Sequence, residues 1–218
     1  PTPPSLFFGF FFYSYGVFFT AIAKEFGDSE LGAMLGSHLG ASLGLTITHA
    51  VGAIAAPLVG RALDRFPLRR VIAAGALAMS SGFLLLSQVR SLLEFYLVIG
   101  VFIGFGASSM GNLATSKLVT NWFDKRRGTA LGIAAAGVSL SGVVMPNVSA
   151  YLIESFNWRF GFSVFGLFTL FAVVPLVLRL VISRPEDVGL RPDGALPRPA
   201  GSTVIVTPVS YTHLRAHE

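Results

Sequence analysis

Six apolar runs occupy residues 6–23, 32–59, 71–89, 92–118, 129–153 and 160–182, each meeting the next across a short polar hinge. A helix of about 20 apolar residues covers a bilayer core of roughly 30 Å, so each run is long enough to span. The predicted fold class is all-α: a polytopic membrane protein with six transmembrane helices. The second run exceeds the required length and is expected to tilt or protrude. Composition agrees, with 53% hydrophobic and 12% charged residues, where a soluble domain carries about 25% charged. Mean hydropathy is +0.69.

The hinges set direction. Arg61, Arg65, Arg69 and Arg70 lie between the second and third runs, and Lys117, Lys125, Arg126 and Arg127 between the fourth and fifth. Arg179, Arg184, Arg191 and Arg198 follow the sixth. The other side carries only Lys24, Arg90 and Arg159. Basic loops stay in the cytoplasm, which places both ends of the chain there. Trp122 and Trp158 fall near span ends, where indole prefers the interface. The net charge is +5, but the cations are divided among loops and form no continuous patch. Nucleic acid is therefore excluded as partner, and the lipid bilayer with its anionic inner leaflet takes that place. The chain has no cysteine, so disulfides and thiol chemistry are excluded. Ala21-Ile22-Ala23 has the form of a signal-peptide cleavage site, but no basic segment precedes the run and further spans follow it, so an uncleaved first helix is expected.

The stretch Gly60-Arg61-Ala62-Leu63-Asp64-Arg65-Phe66-Pro67-Leu68-Arg69-Arg70 resembles the loop between helices 2 and 3 of the major facilitator superfamily, G-x-x-x-D-R-x-G-R-R. Ser14-Tyr15-Gly16-Val17-Phe18-Phe19 is similar to the first span of its monocarboxylate porter and oxalate:formate antiporter branches. So is Trp122-Phe123-Asp124-Lys125-Arg126-Arg127-Gly128, with Gly132, Gly137 and Pro146 after it. Trp158-Arg159 and Arg184-Pro185-Glu186-Asp187-Val188-Gly189 belong with them. The resemblance covers nearly all of residues 6–194. It implies one six-helix half of a twelve-helix secondary transporter, working by alternating access on a small, anionic substrate such as a mono- or dicarboxylate. No cofactor is implied and no nucleotide-binding loop is visible, so direct ATP coupling is unsupported. The branch resemblance suggests a bacterial inner membrane.

The sequence departs from the family at three places. Pro67 stands where the loop usually has glycine, so the turn must differ or Leu68 must share the adjustment. Gly100 stands where many proton-coupled drug exporters have an arginine. Phe19 stands where animal monocarboxylate porters have a lysine, so lysine-assisted symport is not implied. The substrate-facing cations of the antiporter branch belong to a second half that is missing here.

Several residues carry candidate roles. In the basic loop, Gly60, Asp64, Arg65, Arg69 and Arg70 read as a gate latch, pairing with the other half in one conformation and parting in another. Plain topology and helix capping form the alternative. His49 lies near mid-span, and His38 stands eleven residues earlier on the same face. An intramembrane histidine meets an anion, carries a coupling proton, or bonds a neighbouring helix. Tyr13 and Thr20 in the first span, and Ser108 and Asn112 in the fourth, have helical spacing toward the cavity these helices line in the family. Interhelical bonding is the alternative. No Asp or Glu lies deep in a span. Gly36, Gly40 and Gly44, with Gly132 and Gly137 in the fifth span, read as close-packing positions. The spacing of four in the second span winds around the helix, so several neighbours are expected to use it. Asn147 and Pro146 read as a helix irregularity.

Residues 1–182 are read as the transmembrane half and 183–208 as a Pro- and Gly-rich cytoplasmic linker. Residues 209–218 resemble a translated sequencing adapter. The alternative functions are a superfamily transporter of a sugar, drug or nitrate, a transporter-like sensor, and a membrane-embedded enzyme. The last would need a nucleophile and base at depth, and no motif links Ser139 or Ser141 to His49.

Overall fold

The computed structural model describes residues 5–26, 30–183, 185 and 189. Six helical rods follow one another: α1 (Ser5–Phe26) and α2 (Glu30–Arg65), α3 (Leu68–Leu86), α4 (Leu92–Trp122), α5 (Arg127–Ser155) and α6 (Trp158–Leu180). No strand occurs among the described residues. Five segments, Ser42–Arg65 of α2 and all of α3 to α6, are long and apolar enough to cross a membrane. The 22 residues of α1 give a rod of about 33 Å, sufficient for a sixth crossing. The linker 183–208 and the tail 209–218 lie outside the described residues apart from Ser183, Pro185 and Gly189.

Most helices run past their apolar stretches because helix formation does not stop where hydrophobicity does. Arg61, Asp64 and Arg65 form the last turns of α2. Pro67 then separates α2 from α3 with φ −55° and ψ 130°. It cannot donate a main-chain hydrogen bond, so it ends one helix and starts the next. Leu68 enters the core at once, 3% exposed. This is how the turn proceeds without the expected glycine. Ser91 opens α4 by accepting from the Glu94 N–H, and Glu94 accepts from the Arg90 N–H. Asn157 opens α6 by accepting from the Phe160 N–H. Each cap satisfies main-chain donors a helix start leaves unpaired.

The irregularities fall elsewhere than expected. α5 runs helically through Pro146, and Asn147 Nδ2 donates to the Val143 carbonyl at 2.7 Å. Instead, wide π turns occur at Ile99–Gly104 in α4 and Thr169–Val173 in α6. Gly111 breaks α4 with ψ −149°. Kinks of this kind occur at glycines and π bulges, and they re-aim the side chains beyond them.

Packing among the helices comes from shape, since lipid tails are as apolar as leucine. Phe18 of α1 stacks on Phe162 of α6 at 4.2 Å, and Phe83 of α3 meets Phe165 edge-on at 6.0 Å. Ile72, Met79, Leu86, Ile99 and Ile103 complete a core of α1, α3, α4 and α6. α5 lies along α1, where a Cβ on Gly9 would come 2.8 Å from Ser141 Cβ. Half of the membrane windows of α3 and α4 is buried, against 11% of that of α5 and 22% of that of α2. Among the described helices α2 and α5 are thus the least covered.

Candidate functional site

His49, Ser108 and Asn112 line one cleft of about 210 Å³ between α1, α2 and α4, with Phe12, Gly52 and Leu113. Close crossing of α2 and α4 brings them there. A Cβ on Gly104 would lie 3.0 Å from the Thr48 carbonyl, and one on Gly52 would lie 3.1 Å from Ser108 Oγ. His49 is exposed on this face. Its Nδ1 lies 2.8 Å from the Leu45 carbonyl, and its ring sits 5.1 Å from that of Phe12. Ser108 Oγ donates to the carbonyls of Gly52 at 3.0 Å and Gly104 at 2.9 Å. Asn112 follows the kink at Gly111, and its carboxamide is exposed with no hydrogen bond to a described residue.

The two other predicted cavity residues stand apart from that lining. Tyr13 is 42% exposed, and its ring packs on Gly142 of α5, where a Cβ would come within 2.9 Å. Thr20 donates to the Gly16 carbonyl of its own helix at 2.9 Å. The side chain of His38 lies outside the described residues.

The basic loop gathers a second site. Asp64 pairs with Lys117 of α4. A pocket of about 300 Å³ beside them is lined by Leu63, Arg65, Pro67, Asn121 and Ser183. Asp64 is largely exposed, so the pair contributes only ~0–1 kcal/mol to stability. Arg69 Nη1 donates to the Leu178 carbonyl at 3.3 Å and Trp122 Nε1 to the Ile182 carbonyl at 2.9 Å. These donors satisfy carbonyls that the end of α6 leaves open. Arg70 lines a separate groove with Leu58, Phe66 and Phe105. A Cβ on Gly60 would meet nothing within 4 Å.

The small-residue stripe of α2 turns from one neighbour to the next. A Cβ on Gly40 would lie 2.9 Å from Phe19 and 3.1 Å from Tyr96, and one on Gly44 would lie 3.0 Å from Tyr15 Cζ. Further along, Gly52 faces α4. The surroundings of Gly36 lie outside the described residues. Gly132 faces open space, and the Gly137 carbonyl accepts from Ser141. α3 and α4 make a main-chain approach as tight as that of α2 and α4. A Cβ on Gly106 would lie 3.0 Å from the Gly75 carbonyl and 3.1 Å from Met79 N.

Sequence reading missed Lys117 as the partner of Asp64, although a lone carboxylate among cations was a signal for one. It also missed the cluster at the opposite end. There Glu25 accepts from Trp158 Nε1 at 2.5 Å and from Arg159 Nη1 at 2.6 Å. Arg159 Nη2 reaches the Val89 carbonyl at 3.2 Å, with its guanidinium 4.1 Å from the Trp158 ring centroid. Opposite charges at the ends of the first span and the start of the sixth were the available sign.

Ser139 and Ser141 each donate to a carbonyl one turn back, Ala135 at 3.3 Å and Gly137 at 3.1 Å. Among the described residues, no group of three or more His, Asp or Glu side chains is placed to hold a metal ion.

Comparison with known proteins matches residues 5–215 to the Major Facilitator Superfamily. Monocarboxylate transporter 3 of Rattus norvegicus is 34% identical over 151 residues, 69% of this chain and 29% of that protein. An MFS-type transporter of Gibberella moniliformis is 33% identical over 140 residues, 63% of this chain and 34% of that protein. The fujikurins efflux protein of Gibberella fujikuroi is 30% identical over 125 residues, 56% of this chain and 27% of that protein. The chain thus matches about a third or less of the length of these curated relatives.

Proposed function

The chain belongs to the Major Facilitator Superfamily, and on that premise we propose that it is the first six-helix half of a secondary transporter for a small organic anion, a mono- or dicarboxylate. This is a family of integral membrane transporters and not of enzymes. The observation that carries the reading is the cleft of His49, Ser108 and Asn112 on a face the other described helices leave uncovered. It offers a free carboxamide donor and an imidazole that becomes a cation on protonation, set among apolar walls. That is the equipment for holding an anion away from water. The relatives named as monocarboxylate transporters favour the same substrate class.

In this proposal the outward faces of α2 and α5 meet the second half, and the two halves rock about the cleft. The basic end, with Asp64, Lys117, Arg65, Arg69 and Arg70, faces the cytoplasm and the anionic inner leaflet. The Asp64–Lys117 pair is weak enough to exchange partners as the halves part. Tyr13 stands beside the cleft at the α1–α5 contact, where rocking would move it. Residues 183–208 connect the halves.

The test is uptake by the complete gene product in proteoliposomes. Saturable carboxylate flux, competed by other carboxylates, is expected, and residues 1–182 alone should give none. Flux of a sugar or drug with no carboxylate flux would overturn the substrate. Binding without flux would make the protein a sensor. One observation favours a second substrate: the apolar lining of Phe12, Ala53, Ala56 and Leu113 fits an apolar product, and the relative named as a fujikurins efflux protein favours export.

A further inference from the structure

We infer that the groove between α2 and α3, floored by α4 and headed by Arg70, is a binding site for one anionic phospholipid. The guanidinium takes the headgroup phosphate and the groove takes an acyl chain. This rests on the placement of the basic end at the anionic inner leaflet proposed above, and not on the substrate. Two neighbouring arginines of α3 differ in what they do. Arg69 is committed to α6 and its exit: Nη1 donates to the Leu178 carbonyl, and the main-chain N–H donates to Ser183 Oγ. Arg70 is exposed, and no described residue forms a hydrogen bond or ion pair with its guanidinium. That group stays charged at any working pH, and its donors form a fork that matches phosphate oxygens.

The helical period sets the direction of Arg70. Leu68 and Ile72 of α3 are buried, at 3% and 0% exposure. Arg70 lies two residues from each, on the opposite side of the helix, and exposed Ala74 follows one turn deeper on that side. There the two line a groove of about 370 Å³ with Leu58, Ala62 and Phe66 of α2 and Phe105 of α4. From Leu58 to Phe66 the α2 wall is about 12 Å long. The other polar side chain of the lining is Ser109, and its hydroxyl donates to the Phe105 carbonyl at 3.0 Å. The groove therefore carries one uncommitted charge, at the end where α2 gives way to α3, and apolar surface along the rest.

That distribution matches a phospholipid lying in one leaflet. Leu58, Ala74 and Phe105 fall within the apolar runs, at acyl depth. Arg70 stands just outside the third run, and its long stem lets the charge reach headgroup level. The sign of the headgroup follows from the surroundings. Arg61 and Arg65 share this end and bond no described residue, while Asp64 is already paired with Lys117. The surplus is positive and selects an anionic headgroup over a zwitterionic one. A helix of the second half laid in the same groove would bury Arg70 against apolar walls and would have to bring a carboxylate with it. The groove shares no lining residue with the His49 cleft, so a lipid here does not compete with substrate.

The experiment uses the complete gene product, delipidated in detergent and offered equal amounts of dioleoyl phosphatidylglycerol and dioleoyl phosphatidylcholine. Native mass spectrometry counts the lipids that stay bound. The expected result is one phosphatidylglycerol retained about fivefold in preference to phosphatidylcholine. Arg70→Gln, checked for monodispersity like every variant, should abolish that preference, and Arg70→Lys should keep most of it. Arg179→Gln removes an equal charge from the last turn of α6 and should leave the preference intact. Ala74→Phe fills the groove from an exposed position and should reduce retention several-fold. Equal retention of both lipids by the wild type makes the contact annular and overturns the inference. Equal loss in Arg70→Gln and Arg179→Gln also overturns it, because the attraction is then diffuse, as does a preference that survives Ala74→Phe undiminished. No lipid retained by the wild type overturns it and leaves the groove to the second half. These outcomes leave the carboxylate reading standing, and absent carboxylate flux with phosphatidylglycerol held at Arg70 would sink that reading alone.

Discussion

Replacing Glu25 should show how the end opposite the basic loop is held. The two carboxylate oxygens of Glu25 accept from different partners: the buried Trp158 indole at 2.5 Å and the Arg159 guanidinium at 2.6 Å. Glu25→Gln keeps a carbonyl oxygen for the indole and removes the charge. The ion pair is partly exposed, at 36% and 41%, so its loss should cost ~0.5–1 kcal/mol. Glu25→Ala removes both acceptors. Trp158 is only 5% exposed, and a buried N–H left without an acceptor adds ~1–3 kcal/mol. In a chain of 218 residues, each kcal/mol lowers the midpoint by about 2–4 °C.

Thermal unfolding of the detergent-solubilised protein, followed by fluorescence of the two tryptophans, resolves such steps. Acidity supplies a second check. Burial pushes the Glu25 carboxyl upward. Hydrogen bonds from Arg159 and Trp158, with the Arg159 charge, outweigh this and hold it below its ordinary 4.5. A carboxyl depressed in the folded state stabilises above its unfolded pKa, and that stabilisation is lost as pH falls through the folded value. The gap between wild type and Glu25→Gln should therefore be full at neutral pH and close as pH drops below about 4.5. Equal stability of the Ala and Gln variants, or a gap that persists in strong acid, would refute the assignment.

Four further outcomes follow from the same geometry. Gly106→Ala places a methyl against main-chain atoms at 3.0 and 3.1 Å. Overpacking of ~1–3 kcal/mol should outweigh the gain in helix propensity of roughly 0.5–1 kcal/mol. Gly132→Ala meets nothing within 4 Å and should stabilise the protein, so a lower melting temperature for Gly132→Ala would contradict the open space seen there. Lys117→Gln should lower the melting temperature by no more than about 3 °C, since exposed pairs contribute little, yet change uptake several-fold; a large thermal loss with unchanged uptake would make the pair structural. Asn112→Ala should leave stability unchanged, because its carboxamide bonds no described residue, and weaken carboxylate binding about tenfold, as measured by equilibrium binding.

What the sequence determined by itself was the class: six apolar rods and the family that arranges them this way. Run length against bilayer thickness is a one-dimensional quantity, and so is the order of the motifs. The rod ends were legible only to within a few residues, because Arg61, Asp64 and Arg65 continue α2 where hydrophobicity has stopped. The cleft was half legible. Helical spacing chose Ser108 and Asn112, but it also chose Thr20, whose hydroxyl bonds its own helix. Tertiary structure alone decided which of these meet. A π turn and a glycine kink in α4 re-aim residues that a regular period would place elsewhere. Contacts between residues far apart in sequence, such as Asp64 with Lys117, Glu25 with Arg159 and Gly75 with Gly106, depend on how close two helices come. That distance is set by both surfaces together, and the pattern of either helix alone does not contain it.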